Sequence, residues 1–294
     1  MTRDPDNHAP SPDRPVAPYA QLVFSGGGLR CFWHGGFMAA ASDAFRFKPE
    51  RVTGSSGGAL SAAAWIAGVE QALYDRFSQE LAHQDDNLAL DDMDGEHGRS
   101  PHQRIYDAIL RDVLTDAVCA DIADGPAFQI SVSTPGASAV PTARALAGGT
   151  IYQLEQLVSP TPRPRLSAVT GMEQRLIDAR QAARDGSLRD LVRMAATVPP
   201  AFRPDTWDGE AIYDGGMVDK APLPVPDKGA TLILLTKRFH RLPDDDDGRC
   251  TYVQPEKDIL PGAKLDFTDP DLLKTAWDQG RSDGQLWRNK ISRN

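Results

Sequence analysis

Residues 20–30 read Ala20-Gln21-Leu22-Val23-Phe24-Ser25-Gly26-Gly27-Gly28-Leu29-Arg30. An apolar run of strand length that stops at three glycines, with helix-compatible sequence over residues 29–47 behind it, marks a buried parallel strand turning into a helix. The pattern recurs at once. Arg51-Val52-Thr53 reads as a second short strand, enters Gly54-Ser55-Ser56-Gly57-Gly58, and is followed over residues 59–69 by an Ala-rich apolar helix. Two strand–glycine–helix units in succession predict an α/β chain.

Outward from this start the alternation continues. Residues 70–83 extend the second helix in more polar form. Residues 105–118 carry apolar positions at helical spacing, and residues 127–134 alternate as a strand. Residues 151–158 and 188–196 read as helices, the second stopped by Pro199-Pro200. Residues 211–213 form a short strand leading into Asp214-Gly215-Gly216. Thr231-Leu232-Ile233-Leu234-Leu235-Thr236 is a buried parallel strand, residues 251–253 a last strand, and residues 272–287 a terminal helix. Residues 85–98 read as an acidic surface loop, and residues 135–150 take no assignment. The expected fold is a three-layer α/β sandwich around a mostly parallel central sheet. Residues 1–18, with five prolines and little to bury, read as a disordered leader, and residues 19–294 as one domain.

Composition bounds the function. The chain has 294 residues and a formal net charge of −9, so a nucleic-acid partner is not expected, since phosphate contacts need a basic face. Residues 59–69 are too few to span a bilayer, so any membrane contact is expected to be peripheral. Cys31, Cys119 and Cys250 are odd in number and lack metal-site spacing, which points to reduced thiols and a cytoplasmic location. Neither the acidic run ending at Gly248 nor the one ending at Gly95 fits a calcium loop, because Pro243 and Leu90 fall at the first ligand position. No metal and no cofactor are expected.

Three constellations carry chemistry. Gly54-Ser55-Ser56-Gly57-Gly58 fits G-x-S-x-G, in which a serine sits on a tight strand-to-helix turn with its hydroxyl exposed and the following helix N-terminus aimed at the reacting centre. Ser56 is the candidate nucleophile, with Gly54 and Gly58 as supporting positions. Gly26, Gly27 and Gly28 can turn successive amides toward one point, an anion-binding nest beside Arg30. A dinucleotide fingerprint fails there, because Cys31 occupies its third glycine. Asp214, freed by Gly215 and Gly216, is the candidate proton acceptor for the serine. A Ser-His-Asp triad using His240 has the right chain order, but too few strands precede the serine for that fold.

Taken together, G-G-G-x-R at 26–30, G-x-S-x-G at 54–58 and D-G-G at 214–216, with His34-Gly35, Pro199, Phe202 and the run from Asp214 to Leu223, resemble the patatin-like phospholipase family of the bacterial single-domain kind. The resemblance covers about residues 20–240. Cys31 and Gly57 depart from the usual glycine and alanine, and residues 194–199 lack the usual serine. It implies a calcium-independent hydrolase of fatty acyl esters of phospholipids or neutral lipids. Ser56 would be the nucleophile and Asp214 the base and then the acid. Gly27, Gly28 and Gly57, together with Gly26 and Arg30, would form the oxyanion hole. The alternatives are a general soluble esterase or acyltransferase with the same dyad, and a catalytically silent protein that binds lipid. Head group, cleavage position and oligomeric state are not legible.

Overall fold

The structure is a computed structural model that describes residues 14–84, 100–135, 161–162, 171–199, 202–244, 247–262 and 265–292. The strands are β1 (Gln21–Phe24), β2 (Arg51–Ser55), β3 (Ala127–Pro135), β4 (Met172–Asp178), β5 (Asp205–Trp207), β6 (Glu210–Asp214), β7 (Thr231–Leu234) and β8 (Cys250–Val253). They form one sheet in the order β5-β6-β3-β2-β1-β7-β8, with β4 also on β3. The five strands from β3 through β2, β1 and β7 to β8 are parallel. The strands β4, β5 and β6 pair antiparallel at one side. The expected mixed α/β fold with a mostly parallel central sheet is therefore present.

The helices are α1 (Phe32–Ser42), α2 (Gly57–Ala67), α3 (Glu70–Leu81), α4 (Pro101–Val113), α5 (Asp116–Asp124), α6 (Ala179–Arg184), α7 (Leu188–Met194) and α8 (Asp271–Ile291). Short 3-10 turns occupy Gly28–Cys31 and Gly215–Met217. Residues 105–118, expected as one helix, contain a break. Leu114 leaves helical geometry, and the Thr115 hydroxyl accepts from the Val118 amide to cap a new helix, α5. The expected helix over residues 151–158 and the acidic loop over residues 85–98 lie outside the described residues. The strands β4 and β5 and the helix α6 were not expected from the sequence.

Side-chain alternation sorts the core. Leu22 and Phe24, Val52, Phe128, Ile130 and Val132, and Leu232 and Leu234 face the helices and join one large cluster with Leu29, Phe37 and Leu60. Val23 and Ile233 face the other way, onto Leu235, Ala221 and Phe239. On that second face β2 and β3 present Thr53, Ser55, Ser131 and Ser133, all fully buried. These are not core mismatches. The chain after β6 runs across them: Thr53 donates to the Pro222 carbonyl at 2.6 Å, Ser55 to that of Asp219 at 3.4 Å, and Ser133 to that of Asp214 at 2.9 Å. Gly215 sits so close that a β-carbon there would lie 2.3 Å from the Ser131 carbonyl oxygen.

The helices α1 and α8 cross at glycines. A β-carbon on Gly36 would meet the Trp277 carbonyl at 2.1 Å, and one on Gly280 the Trp33 carbonyl at 2.2 Å. Trp33 stacks on Phe37 with centroids 4.9 Å apart and donates to Asp283 at 2.8 Å, while Trp287 packs on Tyr19, Phe37, Phe45 and Phe47. Trp33, Phe37 and Trp287 are therefore core residues. Just ahead of the expected domain start, Val16 bridges Arg46, the Ala17 amide donates to the Arg46 carbonyl at 2.9 Å, and Ala17 is buried.

Candidate active site

Parallel strands present their carboxyl ends at one edge of a sheet, and ligands bind there. The strand β2 ends at Ser55, so Ser56 is the first residue beyond the sheet and the N-cap of α2. Its backbone has φ 54° and ψ −134°, a region that costs a non-glycine residue roughly 1–3 kcal/mol and that tight packing must enforce. That packing is visible on both sides. A β-carbon on Gly54 would lie 2.5 Å from the Ala59 Cα, and one on Gly58 2.3 Å from the Phe24 carbonyl oxygen, so helix and sheet approach backbone to backbone. An N-cap serine ordinarily accepts a hydrogen bond from the first turn of its helix. Here the hydroxyl makes no capping bond and instead donates to Oδ2 of Asp214 at 2.5 Å.

Asp214 ends β6, which pairs antiparallel with β3 at Val132. Its carboxylate is buried. Oδ2 accepts from Ser56, and Oδ1 accepts from the Gly216 amide at 2.7 Å. Its backbone is fixed as well, by donation to the Thr197 carbonyl at 2.9 Å and by acceptance from Ser133. The carboxylate is thus held at both oxygens, one by the backbone and one by the Ser56 hydroxyl.

The glycine loop lies against Ser56. A β-carbon on Gly26 would be 3.1 Å from the Ser56 Cβ, and one on Gly27 2.2 Å from the Thr236 hydroxyl. Gly28 has φ +59°, which a side chain would strain. One expectation needs correction. The Gly26 amide donates to the Lys220 carbonyl at 2.9 Å, and the Gly26 carbonyl accepts from Thr236 Oγ1 at 2.7 Å, so Gly26 ties the loop to its neighbours and has no amide left for an oxyanion. Arg30 is also turned to its own loop, with Nε donating to the Gly27 carbonyl at 3.3 Å. Cys31, in place of the usual glycine, fits by burying its thiol toward the Ser25 carbonyl at 3.6 Å.

Ser56, Asp214, Gly27, Gly28 and Gly57 open onto a cavity of about 80 Å³. Its walls include Leu29, Leu60, Leu73, Phe77, Phe202 and Phe267. Lys220 and Tyr106 also line it; sequence reading singled out neither, because a lone lysine after a loop and a lone tyrosine on a helix carry no pattern. Lys237 stands near Arg30. Burial lowers its pKa, and the Arg30 charge lowers it further.

No histidine among the described residues lines this cavity. His240 is exposed, so the histidine triad finds no support. His34 is fully buried behind the glycine loop, held neutral by burial with a pKa lowered to about 3, although its contact with the Leu234 carbonyl at 3.3 Å acts the other way. It is part of the packing, edge-on to Phe24 and Trp33. Among the described residues no group of three or more acidic, histidine or cysteine side chains is placed to hold a metal, and no helix is long and apolar enough to cross a membrane. Cys31, Cys119 and Cys250 form no disulfide.

A family model described as patatin-like phospholipase matches residues 22–227 of the chain. Among solved structures, VipD from Legionella pneumophila is similar over 93% of this chain and 67% of that one, at 11% identity and a TM-score of 0.48. No curated protein matches the chain.

Proposed function

The chain belongs to the patatin-like phospholipase family, whose members hydrolyse lipid acyl esters, and from that premise we propose that Ser56 and Asp214 form its catalytic dyad. The observation that carries the proposal is the 2.5 Å hydrogen bond from Ser56 to Asp214 at the head of an apolar cavity.

In this mechanism the acyl chain lies against Leu60, Leu73 and Phe77, with its ester carbonyl beside Ser56. Asp214 takes the Ser56 proton as Oγ attacks the carbonyl carbon, and the electron pair moves onto the carbonyl oxygen. The first amides of a helix have no partner within it. Those of Gly27 and Gly28, opening the 3-10 turn, and of Gly57, opening α2, hold the oxyanion. Asp214 then gives its proton to the departing alkoxide, leaving an acyl ester on Ser56. Water, deprotonated by the same carboxylate, attacks that ester; the bond to Ser56 Oγ breaks, Asp214 returns the proton to the serine, and the fatty acid leaves. Water exclusion by the cavity walls, and the direct hydrogen bond, are what let an aspartate serve as base here. Arg30 acts by fixing the loop, and Gly26 by anchoring it.

The reading takes residues 19–294 as one acyl-hydrolase domain of a cytoplasmic protein that meets lipid from one side of a membrane. A general esterase acting on soluble esters through the same dyad is the second reading, favoured only by the small size of the cavity. Two measurements test the proposal: labelling of the full chain by a fluorophosphonate, and turnover of phospholipid vesicles against a short-chain chromogenic ester. Both activities should vanish in Ser56→Ala. Labelling that survives this substitution would refute the nucleophile, and turnover of the soluble ester alone would select the esterase reading.

A further inference from the structure

The cavity beside Ser56 and Asp214 has a tyrosine in its otherwise largely apolar wall. Tyr106, on α4, is 5% exposed. Its ring stands edge-on to Phe202 with centroids 5.6 Å apart at 90°, and to Phe77 at 6.2 Å, so its direction is set by packing. Its hydroxyl is buried and has no hydrogen-bond partner among the described residues. Burial pushes the phenol pKa far above its ordinary range, with smaller contributions in the same direction from Cys31, Asp214 and Asp107. The group therefore keeps its proton at any working pH and is available as a donor. It lines the same cavity of about 80 Å³ as Ser56 and Asp214.

A buried hydroxyl with no partner destabilises a fold, and phenylalanine would fill the same volume without that penalty. A ligand that brings an oxygen to this point removes the penalty on binding. In the proposed mechanism both oxygens of the scissile ester are already engaged, one by the glycine amides and one by the proton on Asp214. We propose that Tyr106 recognises a further oxygen of the substrate, so that the site selects esters carrying an oxygen substituent close to the scissile carbonyl. This rests on the hydrolase reading above and names its substrate class. The shared chemistry is an acceptor oxygen within a few bonds of the ester. It can come from the acyl side, as in a β-hydroxyacyl chain, or from the alcohol side, as in the neighbouring oxygen of a glycerol ester.

The test uses the full chain and two matched pairs of esters. On the acyl side, p-nitrophenyl butyrate is compared with p-nitrophenyl β-hydroxybutyrate. On the alcohol side, propyl butyrate is compared with glycerol monobutyrate. Wild type should prefer the oxygen-bearing member of one pair by about tenfold or more in kcat/KM, and the responding pair identifies the source. Tyr106→Phe should abolish that preference, lowering kcat/KM on the oxygen-bearing ester by about tenfold more than on its plain partner. It should fold at least as stably as wild type, because it removes only the unpaired oxygen. Turnover without preference in either pair, a preference that survives Tyr106→Phe, or an equal loss on both members of a pair would each overturn the proposal while leaving the hydrolase reading intact. Absence of both turnover and labelling in wild type would overturn the hydrolase reading, and this one with it.

Discussion

Thr236 and Gly27 are packed so closely that a β-carbon on the glycine would lie 2.2 Å from the threonine hydroxyl and 2.9 Å from its Cβ. That hydroxyl is itself committed to the Gly26 carbonyl. The glycine loop therefore owes its shape to Thr236, just beyond β7 and far along the chain. Gly27→Ala must displace either the loop or Thr236. We expect kcat to fall by two orders of magnitude or more, in line with loss of one oxyanion donor, about 3–4 kcal/mol. Thr236→Ala in the same background should recover only part of it, because the threonine Cβ remains in the way. Steady-state kinetics on a chromogenic ester read both.

Ser56 holds a positive φ that serves its position at the head of α2. Ser56→Gly should remove the strain along with the hydroxyl. The expected outcome is a protein without activity whose unfolding free energy is higher than that of Ser56→Ala by about 1–2 kcal/mol, measured by urea denaturation.

Ser133 fixes the Asp214 carbonyl from below the sheet. Ser133→Ala leaves that buried carbonyl short of one donor and should cost about 1–3 kcal/mol of stability. Its effect on catalysis should appear in kcat rather than KM, because the residue touches the strand that carries Asp214, the proposed base, and not the cavity. Asp214→Asn, by contrast, keeps the shape but removes the proton acceptor, and should lower kcat by about 100-fold to 10,000-fold.

Glu70 and His34 make stability depend on pH in opposite senses. Burial raises the Glu70 pKa to about 7 in the folded protein, from an ordinary 4.5. Its contribution to stability is complete below pH 4.5 and is lost as pH rises through about 7. Burial lowers the His34 pKa from 6.5 to about 3, so its contribution is complete above pH 6.5 and is lost as pH falls toward 3. Urea denaturation across this range should show a flatter alkaline side in Glu70→Gln and a flatter acid side in His34→Gln.

At the crossing of α1 and α8, Gly280→Ala would drive a β-carbon to 2.2 Å from the Trp33 carbonyl oxygen. The helices must separate, and Trp33 would lose its register with Asp283. A fall in stability of about 1–3 kcal/mol is expected, together with a change in tryptophan fluorescence.

Much of the fold was legible because its signals are local. The buried runs Leu22–Phe24 in β1 and Leu232–Leu234 in β7 are continuously apolar, and the glycine-rich stretches at 26–28, 54–58 and 215–216 mark the places where strand and turn meet. The strand β4, Met-Glu-Gln-Arg-Leu-Ile-Asp, was not legible, since it lies outside the parallel run and half exposed, without a clean alternation. The break at Leu114 was hidden because the apolar spacing runs through it. Thr53, Ser55, Ser131 and Ser133 look like weak strand positions in sequence, yet they are the face on which the loop behind Asp214 rests.

By itself the order of residues determined which groups are candidates for the chemistry: a serine between glycines, a glycine-rich turn before a helix, and an aspartate ahead of two glycines, each beside a strand. Those are properties of backbone freedom over a few residues, and backbone freedom is written locally. Only the tertiary structure decided that the Gly26 amide is committed to Lys220, that Ser56 and Asp214 meet at hydrogen-bonding distance, and that Tyr106 lines the same apolar cavity. Each of these depends on the packing of segments far apart in the chain, and no short stretch of sequence encodes the distance between two others.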